Sequence, residues 1–179
     1  MKFLAIAFAT LMLLVVTASA QDSIELNGDY MYTHLSFSGA GQNVNSQNIN
    51  TGWDANINVP LFSSKNLGFL FDVSAAYGGA DLGNTHLYTY GGGFQYTFRQ
   101  SSAFQPFANF TIGDATFHTQ YSSINKLYFA PGGGLDVHVA GGLWVRGGVD
   151  YIHTGVGLPG VHGVGVNGVR VLGGLTYRF

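Results

Sequence analysis

Four patterns in this sequence have residue types that could do chemistry. His34-Leu35-Ser36 sets an imidazole and a hydroxyl two positions apart, as a general base and a nucleophile could be set, provided a carboxylate holds the imidazole tautomer. "GVGLPG" (Gly155 to Gly160) and "GVGVNG" (Gly163 to Gly168) both match the glycine fingerprint of a dinucleotide turn. Six histidines offer metal ligands. A set of acids and arginines, Glu25, Asp29, Asp54, Asp72, Asp136, Asp150, Arg146, Arg170 and Arg178, could pair with one another. Which of these is real depends on which residues the local structure turns to the same side.

Eight segments alternate apolar and polar residues at period two, over residues 23–38, 50–61, 67–78, 85–98, 104–117, 126–139, 142–154 and 167–179. Side chains on a strand alternate between two faces, so this period predicts strands with one apolar face each. The first, third, fifth and seventh links are long and polar ("GAGQNVNSQNI", "GADLGN", "HTQYSSIN", "GVGLPGVHGVGV"), while the others are tight ("FSSKN", "RQSSA", "AG"). Alternating long and short links predict an antiparallel up-and-down meander.

Parity then places the candidates. Thr51, Trp53, Ala55, Ile57, Val59 and Leu61 share a face, as do Leu67, Phe69, Phe71, Val73, Ala75 and Tyr77. The nine charged residues of the fourth pattern all fall on the other face, which predicts a lumenal charge network. Glu25 and His34 fall on opposite faces, so the His-x-Ser pair lacks its carboxylate. His34 and His153 share parity with Tyr32 and Tyr151, and His86 with Tyr88, so they point outward rather than converge, and no metal site is expected. The glycine fingerprints precede no helix, and they are read as outer loop. No cofactor is expected.

Composition selects the solvent. Charged residues make up 9% of the chain, against about 25% in ordinary soluble domains. Hydrophobic residues reach 46%. There is no basic patch for nucleic acid. Lys2, the apolar run from Phe3 to Val16 and the small residues Ala18-Ser19-Ala20 predict a signal peptide over 1–20, with 21–179 as one domain. Cysteine is absent, which excludes lipidation at cysteine and disulfide staples. Beyond residue 20 no apolar stretch reaches membrane-helix length, and closed barrels are the strand structure that satisfies its backbone in lipid. A soluble, lipocalin-like carrier would turn the pattern inside out, but soluble surfaces favour Lys and Glu, and 21–179 has only Lys65, Lys126 and Glu25. The expected fold is therefore all-β, an eight-stranded antiparallel up-and-down transmembrane barrel.

With the signal peptide, the eight-strand pattern and the aromatic final strand, the sequence resembles the OmpA/OmpX-type outer-membrane barrels. The resemblance implies that Leu175, Tyr177 and Phe179 are read by the barrel-assembly machinery. "GGGFQYTFR" (Gly91 to Arg99) repeats the phrase and marks an aromatic girdle. The resemblance also implies insertion in the outer membrane after export, contact with outer-membrane lipid and lipopolysaccharide, and a monomer; in one departure from full-length OmpA proteins, the peptidoglycan-binding domain is expected to be absent. The expected role is non-enzymatic: outer loops for surface contact, adhesion or envelope integrity. A small gated pore is the alternative. Behind it stands a lipid A-modifying enzyme, since His34-Leu35-Ser36 resembles the His-x-Ser element of lipid A deacylases.

Overall fold

The computed structural model describes residues 24–39, 42–61, 65–78, 86–99, 103–118, 123–158 and 161–179. The expected signal peptide lies outside them. The described residues form nine strand segments: β1 (Glu25–Gly39), β2 (Gln42–Ile49), β3 (Thr51–Pro60), β4 (Leu67–Tyr77), β5 (His86–Thr97), β6 (Phe104–His118), β7 (Ser123–Ala140), β8 (Leu143–Leu158) and β9 (Val161–Arg178). β2 and β3 belong to one barrel strand, interrupted at Asn50. All neighbours are antiparallel, and β1 pairs with β9 to close the ring of eight.

The pairings set the geometry. From Asn27 they run to Asn56, Asp72, Gly91, Gly113, Tyr128, Thr154 and Val166, and return to β1 at Phe37, ten residues on. Such a stagger over eight strands corresponds to a tilt of roughly 40° and an interior that side chains fill. Faces alternate along the barrel wall. Trp53, Val73, Phe94, Phe110, Val149, Val171 and Leu175 are exposed, whereas Asp54, Asp72, Gln95, Thr111, Asp150 and Arg170 are buried. β7 turns into β8 through two residues, with Gly141 at φ 56°, the left-handed conformation that the first central position of such a hairpin admits and that glycine adopts freely.

Two long links differ from the expectation. Most of "GAGQNVNSQNI" is strand β2, paired with β1 from Thr33↔Ile49 to Gly39↔Gln42. "GVGLPGVHGVGV" is mostly strand as well, since β8 and β9 pair up to Leu158↔Val161. β1 supplies a ready edge for the uncharged, proline-free β2. In the seventh link the valines outweigh the glycines as strand formers. The pairing of β7 with β8 ends at Tyr128↔Thr154 and that of β3 with β4 at Thr51↔Tyr77. Above those levels β2, β1, β9 and β8 continue as a four-stranded sheet that projects from one side of the ring.

A Cβ added to Gly93 would fall on the Phe110 carbonyl, whereas one on Gly28, on the outer face, would meet nothing within 4 Å. Gly93→Ala should therefore cost about 1–3 kcal/mol of unfolding free energy. Gly28→Ala should stay within about 0.5 kcal/mol of neutral, with both measured by urea unfolding in vesicles.

Candidate functional site

The lumen is organised in three tiers. In the lowest, Glu25 opens β1 with its side chain fully buried. Its Oε1 lies 2.6 Å from Arg99 Nη2 and 2.8 Å from Arg178 Nε, and its Oε2 accepts from Asn58 (2.9 Å) and Gln95 (3.0 Å). Arg178 also donates to Asp136 (2.6 Å) and Gln105 (2.7 Å). Arg146, the register partner of Asp136, grips that carboxylate with Nε at 2.8 Å and Nη2 at 3.0 Å. The guanidinium of Arg146 lies over Phe107 and that of Arg178 over Trp144, at 4.2 and 4.1 Å from the ring centroids. Bidentate and stacked contacts of this kind suit the planar guanidinium and would be lost on a lysine.

Arg170 centres the middle tier at 1% exposure. It donates to its register partner Asp150 at 2.8 Å and to Ser74 at 3.2 Å, with Asp54 at 3.7 Å. Asp150 accepts also from Asn109, Asp54 from Asn56, and Asp72 from the Tyr128 hydroxyl at 3.3 Å. Asp29 is buried between Asp54 and Gly174, its register partners, with no hydrogen-bond partner among the described residues.

The upper tier is apolar. Met31, Leu35, Ile49, Leu87, Phe117, Ile152 and Val166 form one buried cluster with Tyr128. An ion crossing the barrel would have to break the ion pairs of both lower tiers and then pass an apolar collar.

The sequence pattern predicts the nine charges on the inner face, and the structure divides them between two tiers. The pattern did not single out Arg99, which follows Gln95 and Thr97 at inward parity just past the end of β5. Nor did it single out the collar, although Met31, Leu35, Leu87, Phe117 and Ile152 all stand at inward parity. His34 and His153 stand on one flank and His86 pairs with His118 across β5 and β6 on the other, and among the described residues no three His, Cys, Asp or Glu side chains are placed to hold a metal. His34 Nδ1 donates to Asn48 (2.5 Å) and His153 Nδ1 to Asn167 (2.6 Å), both amides. His138 donates to the Gly141 carbonyl (3.0 Å) beside the short turn. Gly155, Gly157, Gly163, Gly165 and Gly168 lie in β8 and β9, and Gly160 lies outside the described residues; among the described residues no helix follows to receive a pyrophosphate. Leu175, Tyr177 and Phe179 face outward; Phe179 is 67% exposed and packs edge-on against Tyr177 at 5.0 Å.

A closed antiparallel ring of eight strands, apolar outside and ion-paired inside, is a transmembrane β-barrel of the outer-membrane type. No family model and no curated protein matches the chain, but solved structures do. Neisserial surface protein A aligns with a TM-score of 0.60 at 18% identity, over 86% of this chain and 97% of that one. The outer membrane protein OprG from Pseudomonas aeruginosa gives 0.57 at 14%, over 88% and 96%. Ail, the attachment invasion locus protein of Yersinia pestis, gives 0.51 at 15%, over 87% and 99%. The chain thus has the fold that these outer-membrane barrels share.

Arg170 alone supplies a cation to Asp150 and Asp54 among the ion pairs of the middle tier. Arg170→Met should cost about 3–5 kcal/mol, because it strands buried carboxylates, and adding Asp150→Asn should recover some of that loss. Unfolding midpoints of the single and double variants in vesicles check both statements.

Proposed function

We propose that this chain is an integral protein of a Gram-negative outer membrane, exported on the signal peptide at 1–20, and that its projecting sheet makes surface contact with other proteins. The observation that carries this reading is the outer edge of β2, which no described strand takes up. Gln42–Ile49 pairs with β1 on one side and with no strand on the other, among the described residues. Proteins commonly blunt such edges with Lys, Pro or short length, and "QNVNSQNI" has neither a charge nor a proline over eight residues. An open edge of this kind takes up an extended segment of a partner by strand addition, with main-chain hydrogen bonds supplying the affinity. The likeness to a neisserial surface protein and an attachment invasion locus protein supports the same role.

The reading is non-enzymatic. His34 is held by the Asn48 amide, which cannot stabilise an imidazolium as a carboxylate would. A small cation-preferring pore is the second reading, favoured by the unpartnered Asp29 below the collar. Outer-membrane lipid and lipopolysaccharide surround the proposed monomer, and the barrel-assembly machinery reads Leu175, Tyr177 and Phe179 during insertion.

Replacing residues 36–46 by Asn-Gly joins the register partners Leu35 and Gln47 through a short hairpin. Bacteria carrying this variant should insert it normally yet attach to host-cell monolayers about tenfold less. Unchanged attachment overturns the contact reading, and planar-bilayer conductance of the intact protein checks the pore. Deleting Phe179 should lower insertion in cells much more than refolding into detergent; equal losses would make it an ordinary girdle residue.

A further inference from the structure

Among the described residues, one acid stands on the lipid-facing side of the strands. Asp114 on β6 alternates with Phe110 and Ile112, both exposed, on the outward face, whereas the other described acids are buried in the lumen. A charge facing lipid is unfavourable unless it lies near the interface and has a partner there. β6 rises from its periplasmic turn at Phe104, so Asp114 lies towards the outer rim, below Thr116 and His118. Its register partners are Tyr90 and Leu127, and the Tyr90 hydroxyl sits beside the carboxylate.

Above this pair stands a wall of rings. Tyr77 and His86 meet at 5.4 Å between centroids, Tyr77 and Tyr88 at 6.2 Å, and Tyr88 and His118 at 5.7 Å. Trp53 Nε1 donates to the Tyr77 hydroxyl at 3.2 Å, which ties β3 into the wall. The opposite flank differs: His34, His153 and Tyr151 all spend their polar tips on Asn48 and Asn167. On the β4–β6 flank His118 has a ring neighbour but no hydrogen-bond partner among the described residues, and it is exposed.

We propose that this flank binds the sugar headgroup of an outer-leaflet glycolipid. A sugar ring presents C–H groups on its face and hydroxyls around its edge. The negative faces of tyrosine and histidine rings accept the former, and a carboxylate accepts hydrogen bonds from the latter. Phe110 and Ile112, exposed on the membrane side of the acid, and Leu127 beside it receive the acyl chains. A phosphate with no sugar beside it is repelled by Asp114 and offers the carboxylate no donor, whereas the phosphorylated disaccharide of lipid A still brings hydroxyls that can donate to it. The inference rests on the outer-membrane placement but not on the surface-contact role.

The test is a fluorescence titration in amine-oxide micelles with lipid A as the probe. Trp53 reports from the wall, while Trp144 is buried in the lumen. Wild-type protein should give a saturable change with lipid A and none with phosphatidic acid. Asp114→Leu should weaken the response at least about tenfold, and Tyr88→Leu likewise, while Tyr151→Leu on the opposite flank should match wild type. Removing a lipid-facing charge does not threaten the fold, so loss of binding in Asp114→Leu is separable from misfolding, which heat-modified gel mobility monitors. Equal responses to phosphatidic acid and lipid A, or undiminished lipid A binding by Asp114→Leu, overturn the proposal. Because the titration is made in micelles, neither result depends on attachment between cells.

Discussion

In hydrocarbon a backbone N–H or C=O has no water to fall back on, and each one left unpaired costs several kcal/mol. A chain that crosses a membrane as strands must therefore close on itself, and β1 meeting β9 along fourteen register pairs is that closure. Closure with strict alternation leaves each residue two destinations, lipid or lumen. An eight-stranded ring leaves a lumen no wider than its side chains. Most other features of the molecule follow from these two facts.

The charges are inside because the outside is lipid, and inside they must be paired because there is little room for water. The lower tier meets this demand with arginines that each serve more than one acceptor, and with the Asn58 and Gln95 amides on Glu25 Oε2, so Glu25 and Asp136 have partners on both carboxylate oxygens. The middle tier meets it less completely. Arg170 faces Asp150 and Asp54, Tyr128 serves Asp72, and Asp29 is left over. The collar above is apolar and, with Tyr128, draws on the inward faces of seven barrel strands. Stability and passage are thus set by the same residues: whatever rigidifies the lumen also obstructs it.

Period two made the strands legible, and the tight turns followed from their length. Parity placed the charges because it depends only on counting. The β2 strand was not legible, because Gln, Asn and Ser carry no alternation of hydropathy, and its position is decided by the edge of β1. The β8–β9 hairpin was hidden by glycines that suggest a loop when read alone. Arg99 sits one residue beyond Phe98, where an aromatic phrase drew attention to the girdle rather than to the lumen. Asp114 ends the apolar run of Phe110 and Ile112, and only the register with Tyr90 and the rings above it gives that break a setting.

Glu25 and Arg178 face each other across the β1–β9 seam, and the Phe179 amide reaches the Ile24 carbonyl beside them at 3.1 Å. During synthesis Glu25 exists long before β9 does, and its other partners come from β3 and from the lower end of β5. The charge of the acid is balanced in full only when the two edges meet. A slip of one residue along the seam would turn Arg178 out towards lipid, and a slip of two would carry it past Glu25. The pair therefore works as a register key: of the alignments by which two greasy edges could zip together, it makes one far cheaper than its neighbours.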